Sequence, residues 1–289
     1  MSRQDDKPVA AGGGTLFVVA TPIGNLDDLS PRARATLAQA DLIAAEDTRH
    51  SAALLHHHGI ATRCVALHEH NEREASVDLV RRMQAGANIA LISDAGTPLV
   101  SDPGYRLVRA AREAGVAVSP IPGACAAIAA LSAAGLPSDR FVFEGFLPAK
   151  SAARRATLQT LRGETRTLIF YESSHRIVET LHDLVAEFGG EREAVIAREL
   201  TKQFETVLDG ALAELEARVV GDANQQRGEF VVLVNGAGDD DAATILAEGL
   251  RVYRILSAEL PPSRAAKLAA EITGAPRKAL YSAQGREEA

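Results

Sequence analysis

The chain has 289 residues, 46% of them hydrophobic and 24% charged, with a formal net charge of −7. That profile fits a folded protein of about two domains and excludes one that coats nucleic acid through bulk positive charge. No apolar run reaches the length of a membrane span, and the only cysteines, Cys64 and Cys125, suggest neither a disulfide framework nor a zinc site, in keeping with a cytoplasmic setting.

Residues 1–14 are polar and glycine-rich, which predicts a disordered leader. Residues 15–20, TLFVVA, then read as a strand that opens into the turn Thr21-Pro22-Ile23-Gly24-Asn25. Ser30-Pro31 is an N-cap with proline at the first helical position, predicting a helix through residue 40. Further strands are predicted at residues 42–45, 64–67, 88–93 and 116–121, each followed by a polar or small-residue loop and then a helical stretch. Strands separated by helices of this length imply right-handed crossovers and a mainly parallel sheet, whose loops gather on one edge. The most distinctive of these loops is LISDAGTPLVSDPG, residues 91–104, where a buried strand ends in turn formers and two carboxylates. Ligands of open α/β sheets sit at such strand ends, so it is a candidate cofactor loop.

The pattern changes at Gly135-Leu136-Pro137-Ser138, a boundary between a unit at residues 15–136 and a second at 137–236. Strands predicted at residues 141–146, 167–171, 194–198, 204–208 and 229–234 have only some helical crossovers, which implies a mixed sheet. Residues 150–166, KSAARRATLQTLRGETR, carry Lys150, Arg154, Arg155, Arg162 and Arg166 against the single acid Glu164, a solvated helix face or a phosphate-contacting surface. After a linker at residues 235–241 the chain reads as helical, with segments at 242–258, 263–272 and 276–282. The turn Thr273-Gly274-Ala275-Pro276 and the basic Arg264, Lys267, Arg277 and Lys278 give residues 242–289 the look of a helix-turn-helix. A packing appendage is the other reading of that tail.

Several signatures are missing. No G-x-G-x-x-G opens a βαβ unit, because Gly12-Gly13-Gly14 precedes the first strand, and no Gly-Lys pair marks a P-loop. His56-His57-His58 and His68-x-His70 match no zinc spacing, so no metal is expected.

The segments LFVVATPIGNLDDLSPRA, LIAAEDTRHSAALL, LHEHNE, LISDAGTPLVSDPG, PIPGACAAIAALSAAGLP, FVFEGFLPAKSAARR, IFYESSHRI and ARELTKQFE occur in that order over residues 15–236. In them the chain resembles the bacterial small-subunit ribosomal RNA ribose methyltransferases of the tetrapyrrole-methylase superfamily. The resemblance implies an α/β, class III methyltransferase fold of two domains with a helical tail, forming a homodimer. It implies S-adenosylmethionine folded into the cleft between the domains, and as substrate the 2′-hydroxyl of a decoding-centre cytidine in 16S ribosomal RNA. Two competing readings remain: a methylase acting on a tetrapyrrole precursor of cobalamin or siroheme, and a non-catalytic ribosome-binding protein.

Carried over motif by motif, the resemblance implies cofactor contacts at Ala20, Pro22 and Gly24, and at Asp94, Gly96, Thr97, Val100, Ser101 and Asp102. It adds Gly123, Cys125 and Ala126, then Tyr171, Ala197 and Glu229 of the second unit. Thr97 stands where the wider superfamily has aspartate, which leaves open whether Asp94 or Asp102 takes the cofactor's polar groups. Cys125 stands in place of a serine, and a thiol is the poorer donor, so backbone amides are expected to hold the ligand there. Methyl transfer from a sulfonium needs an in-line oxygen relieved of its proton and no metal. Among the strand-end polar residues, Glu172, Glu199 and Lys202 are expected to handle that proton, and Arg49, Lys150, Arg154, Arg155 and Arg176 to fix RNA phosphates.

Overall fold

The computed structural model describes residues 13–238 and 241–280, so most of the expected leader and the end of the tail lie outside the described residues. The first five apolar runs form β1 (Thr15–Val19), β2 (Leu42–Ala45), β3 (Cys64–Ala66), β4 (Ile89–Ile92) and β5 (Ala117–Ile121). They pair in the order β3-β2-β4-β1-β5, every pair parallel, as the crossovers require. β2 and β4 are buried along their whole length, the pattern of inner strands covered on both faces. One cover comes from Ala33 and Leu37 of α1 (Pro31–Gln39) with Leu54 and Leu55 of α2 (Thr48–His57). The other comes from Leu79 and Met83 of α3 (Glu72–Gln84) with Leu107 and Ala111 of α4 (Tyr105–Glu113). Ser30 caps α1 as expected, its Oγ accepting from Ala33 N at 3.1 Å.

Helix α5 (Ala126–Ala134) follows β5 in sequence but packs elsewhere. Its Ala127, Ala130 and Leu131 are buried against Ile169, Val195, Ala197, Val231 and Leu233 of the second sheet. Small side chains let the helix axis approach that sheet closely, and the packing draws the loop before α5 to the junction of the two units.

The second sheet is mixed, as expected. It comprises β6 (Phe141–Phe146), β7 (Thr167–Ser173), β8 (Glu193–Arg198), β9 (Thr206–Ala211) and β10 (Glu229–Val234), in the order β6-β7-β10-β8-β9. Only β6 and β7 run parallel. The face away from α5 carries α6 (Ser151–Leu161), α7 (Ile177–Phe188) and α8 (Leu212–Gly221) through Leu158, Leu181, Leu184, Leu212 and Leu215. β9 begins two residues later than the expected 204–208 strand and runs on to Ala211, because backbone bonds within residues 199–205 make a turn there and leave Phe204 exposed. α8 starts directly from β9 on Ala211, without a side-chain cap, so no N-terminal signal marked it. The tail forms α9 (Asp241–Ser257) and α10 (Pro262–Thr273) over a small core of Tyr253, Ala265, Ala266, Ala269, Ala275 and Leu280. A helical turn at residues 277–280 begins the expected third helix, whose remainder lies outside the described residues.

One expectation is corrected by burial. Arg154 does not face RNA: its side chain is 1% exposed, with Nε donating to Asp183 Oδ2 at 2.7 Å and Nη2 lying 3.5 Å from Glu179. Position 154 falls on the core side of α6, one turn before the buried Leu158, and Asp183 of α7 meets it there. A buried cation is tolerated when a carboxylate and a carbonyl satisfy it, and Ala149 O accepts from Nη1 at 3.3 Å. Arg154→Ala, which strands the Asp183 charge, is expected to lower unfolding free energy by about 3 kcal/mol or more in urea denaturation. Arg154→Met combined with Asp183→Leu is expected to recover most of that loss.

Candidate active site

The loops after β1, β2, β4 and β5 bring Ile23, Glu46, Asp94 and Cys125 to the edge facing the second unit, and the 91–104 loop is pinned at both ends. Thr21 N donates to Gly96 O at 2.8 Å and Gly96 N returns a bond to Thr21 O at 3.1 Å, a two-bond bridge between the β1 and β4 loops. At the far end the buried Glu72 carboxylate accepts from Gly104 N at 3.0 Å and Arg106 N at 2.8 Å. Between these anchors Leu99 and Ser101 adopt left-handed backbone with φ of 73° and 67°, which costs energy for non-glycine residues and persists where the surroundings fix it.

A cavity of about 410 Å³ lies between this loop and the second sheet. From the first unit, Asp94, Gly96, Thr97, Val100, Ser101 and Asp102 line it, with Cys125 and Ala126 from the start of α5. Tyr171, Ala197 and Glu229 line it from the second unit. Ala20 and Gly123 stand behind that wall: a Cβ on Gly123 would come within 2.9 Å of Ala20 Cβ, so this glycine lets the β1 and β5 loops touch. Pro22 and Gly24 line a neighbouring cavity instead. The Tyr171 hydroxyl accepts from Ala127 N at 3.1 Å, and its ring packs edge-on to Phe143 and Phe146. Burial pushes that phenol's pKa well above the ordinary value, so it is a neutral hydrogen-bonding group.

The first unit turns three carboxylates to the cavity, Glu46, Asp94 and Asp102, and the second unit adds Glu172 and Glu229. Asp94 Oδ1 accepts from Asp47 N at 3.0 Å, and Glu46 Oε2 from Asp94 N at 3.3 Å, which ties the β2 and β4 loops together. Burial raises the pKa of Glu46; the bond from Asp94 N opposes the rise, and repulsion from the Asp94 and Glu69 charges adds to it. Burial likewise pushes Asp102 up to about 6, with Glu46 and Asp94 adding repulsion and a bond from Ser93 opposing it. Such a group of crowded carboxylates at one wall suits a cationic ligand.

The second unit contributes the turn after β8. Glu199 and Thr201 are left-handed, with φ of 52° and 67°. Lys202 Nζ is held between Glu199 Oε1 at 2.8 Å and Glu229 Oε2 at 2.7 Å, and Glu229 N donates to Glu199 Oε1 at 3.0 Å. Burial alone would lower the Lys202 pKa, but the two carboxylate partners outweigh it and the net shift is upward, so the amine stays protonated. Burial opposes ionisation of Glu199 too, yet the bond from Lys202 carries its pKa down. Glycines make room for this turn: a Cβ on Gly24 would stand 2.5 Å from Lys202 Cγ, and one on Gly228 2.4 Å from Glu199 Cγ. Across the same junction Asn25 N donates to Thr201 Oγ1 at 3.0 Å.

Glu199 and Lys202 are thus joined, while Glu172, which also lines the cavity, is bonded to other partners. Its buried carboxylate accepts from Ser173 N at 2.8 Å and Thr180 Oγ1 at 2.7 Å, and lies 3.3 Å from Arg176 Nη2. Arg176 also donates to Leu147 O at 2.6 Å, so its guanidinium braces the β6 end and does not face RNA as expected. Arg155 lies on the surface of α6, its Nε donating to Glu187, and Lys150 is exposed. Arg49, 92% exposed, lines the neighbouring cavity of about 600 Å³ together with Lys202, Asp94 and Glu229. Besides the expected residues and Gly228 next to Glu229, the cavity walls include Glu46, Ile23, Phe146 and Leu200, which the resemblance did not mark. Their shared signal is position at or beyond a strand end, which the apolar character of the last three hid.

Comparison with known proteins agrees with this geometry. Residues 15–216 match the family model for tetrapyrrole (corrin/porphyrin) methylases, and residues 243–283 match the RsmI C-terminal HTH domain. The chain is 62% identical to the ribosomal RNA small subunit methyltransferase I of Xylella fastidiosa, over 93% of this chain and 98% of that protein. Identity to the protein of the same name from Pseudomonas aeruginosa is 61%, over 93% of this chain and 95% of that one. Among solved structures, a uroporphyrin-III C-methyl transferase from Thermus thermophilus complexed with S-adenyl homocysteine superposes with a TM-score of 0.53 at 18% identity. It covers 77% of this chain and 97% of its own, a likeness of fold.

The raised Asp102 value has a consequence for stability. The folded state holds this proton up to about pH 6 while the unfolded chain releases it near 3.8, so stability from this group falls as pH rises through that window. Asp102→Asn mimics the protonated form. It is expected to raise the thermal unfolding midpoint at pH 7.5 by the equivalent of about 1 kcal/mol, allowing for solvent screening of a half-buried group, and to give no gain at pH 4.

Proposed function

The chain belongs to the tetrapyrrole methylase family, within the branch of the ribosomal RNA small subunit methyltransferases I, and from this we propose that it transfers a methyl group from S-adenosylmethionine to ribosomal RNA of the small subunit. The acceptor in this reading is the 2′-hydroxyl of a decoding-centre cytidine in 16S ribosomal RNA, the acting form a homodimer and the setting the cytoplasm. The observation that carries the reading is the junction itself. A carboxylate-walled cavity suited to a cationic cofactor shares Asp94 and Glu229 with a second, cation-bearing cavity suited to an anionic chain.

S-adenosylmethionine supplies the methyl group on a positively charged sulfur. Asp94, Asp102 and Glu46 complement its sulfonium and ammonium charges, and the 96–101 backbone and Tyr171 bound it on either side. Cys125 and Ala126 offer the first amides of α5, where an anionic carboxylate is favoured. The fit is chemical as well as spatial, because the cavity wall has five acids and no basic side chain among the described lining residues.

Lys202 acts as a fixed cation. Protonated and gripped by Glu199 and Glu229, it stabilises negative charge as it develops on the attacking ribose oxygen, and this electrostatic assistance needs no reorganisation. Glu199 positions that amine, and an ionised carboxylate at the same turn is available to take the proton. Glu172 serves instead to fix the 173–176 turn and Arg176. Arg49, with Lys150 and Arg155 on the outer surface, contacts phosphates. A structured particle offers shape as well as charge, so few such contacts suffice in a chain of net charge −7.

Two measurements test this. With methyl-labelled S-adenosylmethionine and unmethylated small subunits, Lys202→Ala and Glu199→Ala are each expected to lower kcat by about tenfold or more while calorimetric cofactor affinity stays within about twofold. A smaller loss removes these residues from the reaction. Assembled small subunits are expected to be methylated faster than naked 16S ribosomal RNA; equal rates overturn the particle-recognition part of the reading.

A further inference from the structure

With Arg154 and Arg176 bonded inside the second unit, the charge that meets an anionic partner has to lie elsewhere. Helices α3 and α4 lie side by side on one face of the first sheet, burying Leu79 and Met83 of one and Leu107 and Ala111 of the other. The helical period turns the remaining positions outward, and six of them are arginines: Arg73, Arg81, Arg82, Arg106, Arg109 and Arg112. Arg82 and Arg109 pair with Asp78 and Glu113 four residues away. Arg73, Arg81 and Arg112 have no ion pair or side-chain hydrogen bond among the described residues. Arg106 Nε lies 3.9 Å from Glu72, whose carboxylate already accepts from two backbone amides. That leaves Glu74 as the one exposed acid of these helices without a partner. The outer helices of the second unit are the reverse, with α7 and α8 carrying five acids against Arg218 alone. Four uncommitted guanidiniums therefore make a local positive field that a net charge of −7 hides. Tyr105, 61% exposed, stands among them with its hydroxyl 3.5 Å from Arg109 Nη1.

We propose that α3 and α4 form a docking surface for ribosomal RNA of the small subunit, with Arg73, Arg81, Arg106 and Arg112 pairing with phosphates and Tyr105 stacking on one unpaired base. The inference rests on the RNA-methylating reading and adds the surface that holds the strand outside the cavity. Both helices follow strands of a parallel sheet, so their amino ends stand at the edge where the cofactor loop emerges. Glu72 ties those two ends together, and Tyr105 comes three residues after Asp102 of the cavity wall. Arg73 and Arg106 therefore stand at the rim of the site, and Arg81 and Arg112 about 10 Å farther along their helices. A strand that reaches the cavity across this face meets cations at both distances. Tyrosine beside arginine suits single-stranded segments, because every base has a face to stack on while the phosphates take the guanidiniums.

Methyl-transfer kinetics and binding of unmethylated small subunits across a salt series test this. Arg73→Gln, Arg81→Gln and Arg112→Gln combined are expected to raise KM for subunits by about tenfold or more. They are expected to lower the slope of log affinity against log salt by about 2, the loss of three phosphate contacts to a single strand. The kcat at saturating subunits and the S-adenosylmethionine affinity are expected to stay within about twofold, because none of the three lines the cavity. Tyr105→Ala is expected to raise KM by about fivefold or more with the salt slope unchanged; a KM within about twofold removes the stacked base. Arg32→Gln with Arg140→Gln, which takes exposed charge from other faces, is expected to leave KM within about twofold. If wild type is active but the triple variant keeps its KM and slope, or the control loses as much per charge, the function stands and the docking surface is overturned. A changed oligomeric state of the triple variant in sedimentation overturns it too, by assigning the face to a second copy of the chain. If wild-type protein binds cofactor but does not methylate subunits, the function itself falls and the surface with it. Should the triple variant misfold, Arg81→Glu alone decides: a threefold or larger rise in KM is expected, and no change overturns the proposal.

Discussion

The packing of α5 against the second sheet is the interaction on which the rest of the structure depends. By chain order this helix closes the first unit, yet Ala127, Ala130 and Leu131 are buried among Ile169, Val195, Ala197, Val231 and Leu233. Nine residues, mostly alanine, provide a narrow helix that fits close to the strands, and a larger side chain at Ala130 would push the two units apart. Because the helix begins at the edge where the first sheet's loops emerge, seating it also seats Cys125 and the Asp94–Asp102 loop opposite Tyr171 and Glu229. Apolar burial on one face thereby sets the width of a polar cavity at its end.

Charge is sorted across that junction. The first sheet's loops bring three carboxylates toward the cofactor cavity, and their mutual repulsion and burial raise the pKa of Glu46 and Asp102. The second unit brings a lysine, neutralised locally by two glutamates whose attraction keeps it protonated despite partial burial. Ile23, Asp94, Ala95 and Glu229 belong to both cavities, so the two share a wall. A reaction in which a sulfonium on one side loses its charge as its S–C bond breaks, while an oxygen on the other bonds that methyl carbon and gives up its proton, suits a site divided in this way.

Much of this was legible in the sequence, and the failures have physical causes. The first sheet could be read strand by strand because parallel inner strands are continuous apolar runs, and the loops after them carry the turn residues that mark a ligand edge. The 91–104 loop, marked by the same signal as a candidate ligand loop, does line a cavity. Arg154 was misread because a basic run looks the same whether its members face water or a partner, and Asp183 lies 29 residues away in sequence. Arg176 failed for the same reason, its carbonyl partner at Leu147 being 29 residues distant. β9 was displaced because Phe204 looks like a strand residue but caps a turn whose cause is the left-handed backbone at Glu199 and Thr201, which no residue type announces.

Those left-handed residues explain why two glycines matter here. Leu99, Ser101, Glu199 and Thr201 are all non-glycine, and all lie on the two segments that meet at the site. An isolated loop would relax out of such conformations, so something outside each loop must hold it. For the first segment the holders are the Thr21–Gly96 bridge and the Glu72 carboxylate; for the second they are the Lys202 clamp and the Asn25–Thr201 bond. Gly24 and Gly228 lack the Cβ atoms that would collide with this second segment, so the same close approach that permits the strain also enforces it. Methyl transfer tolerates little error in the line from sulfur through carbon to oxygen, and two domains joined by the Asn25 N–Thr201 Oγ1 and Ala127 N–Tyr171 hydroxyl bonds satisfy that demand better than mobile loops do.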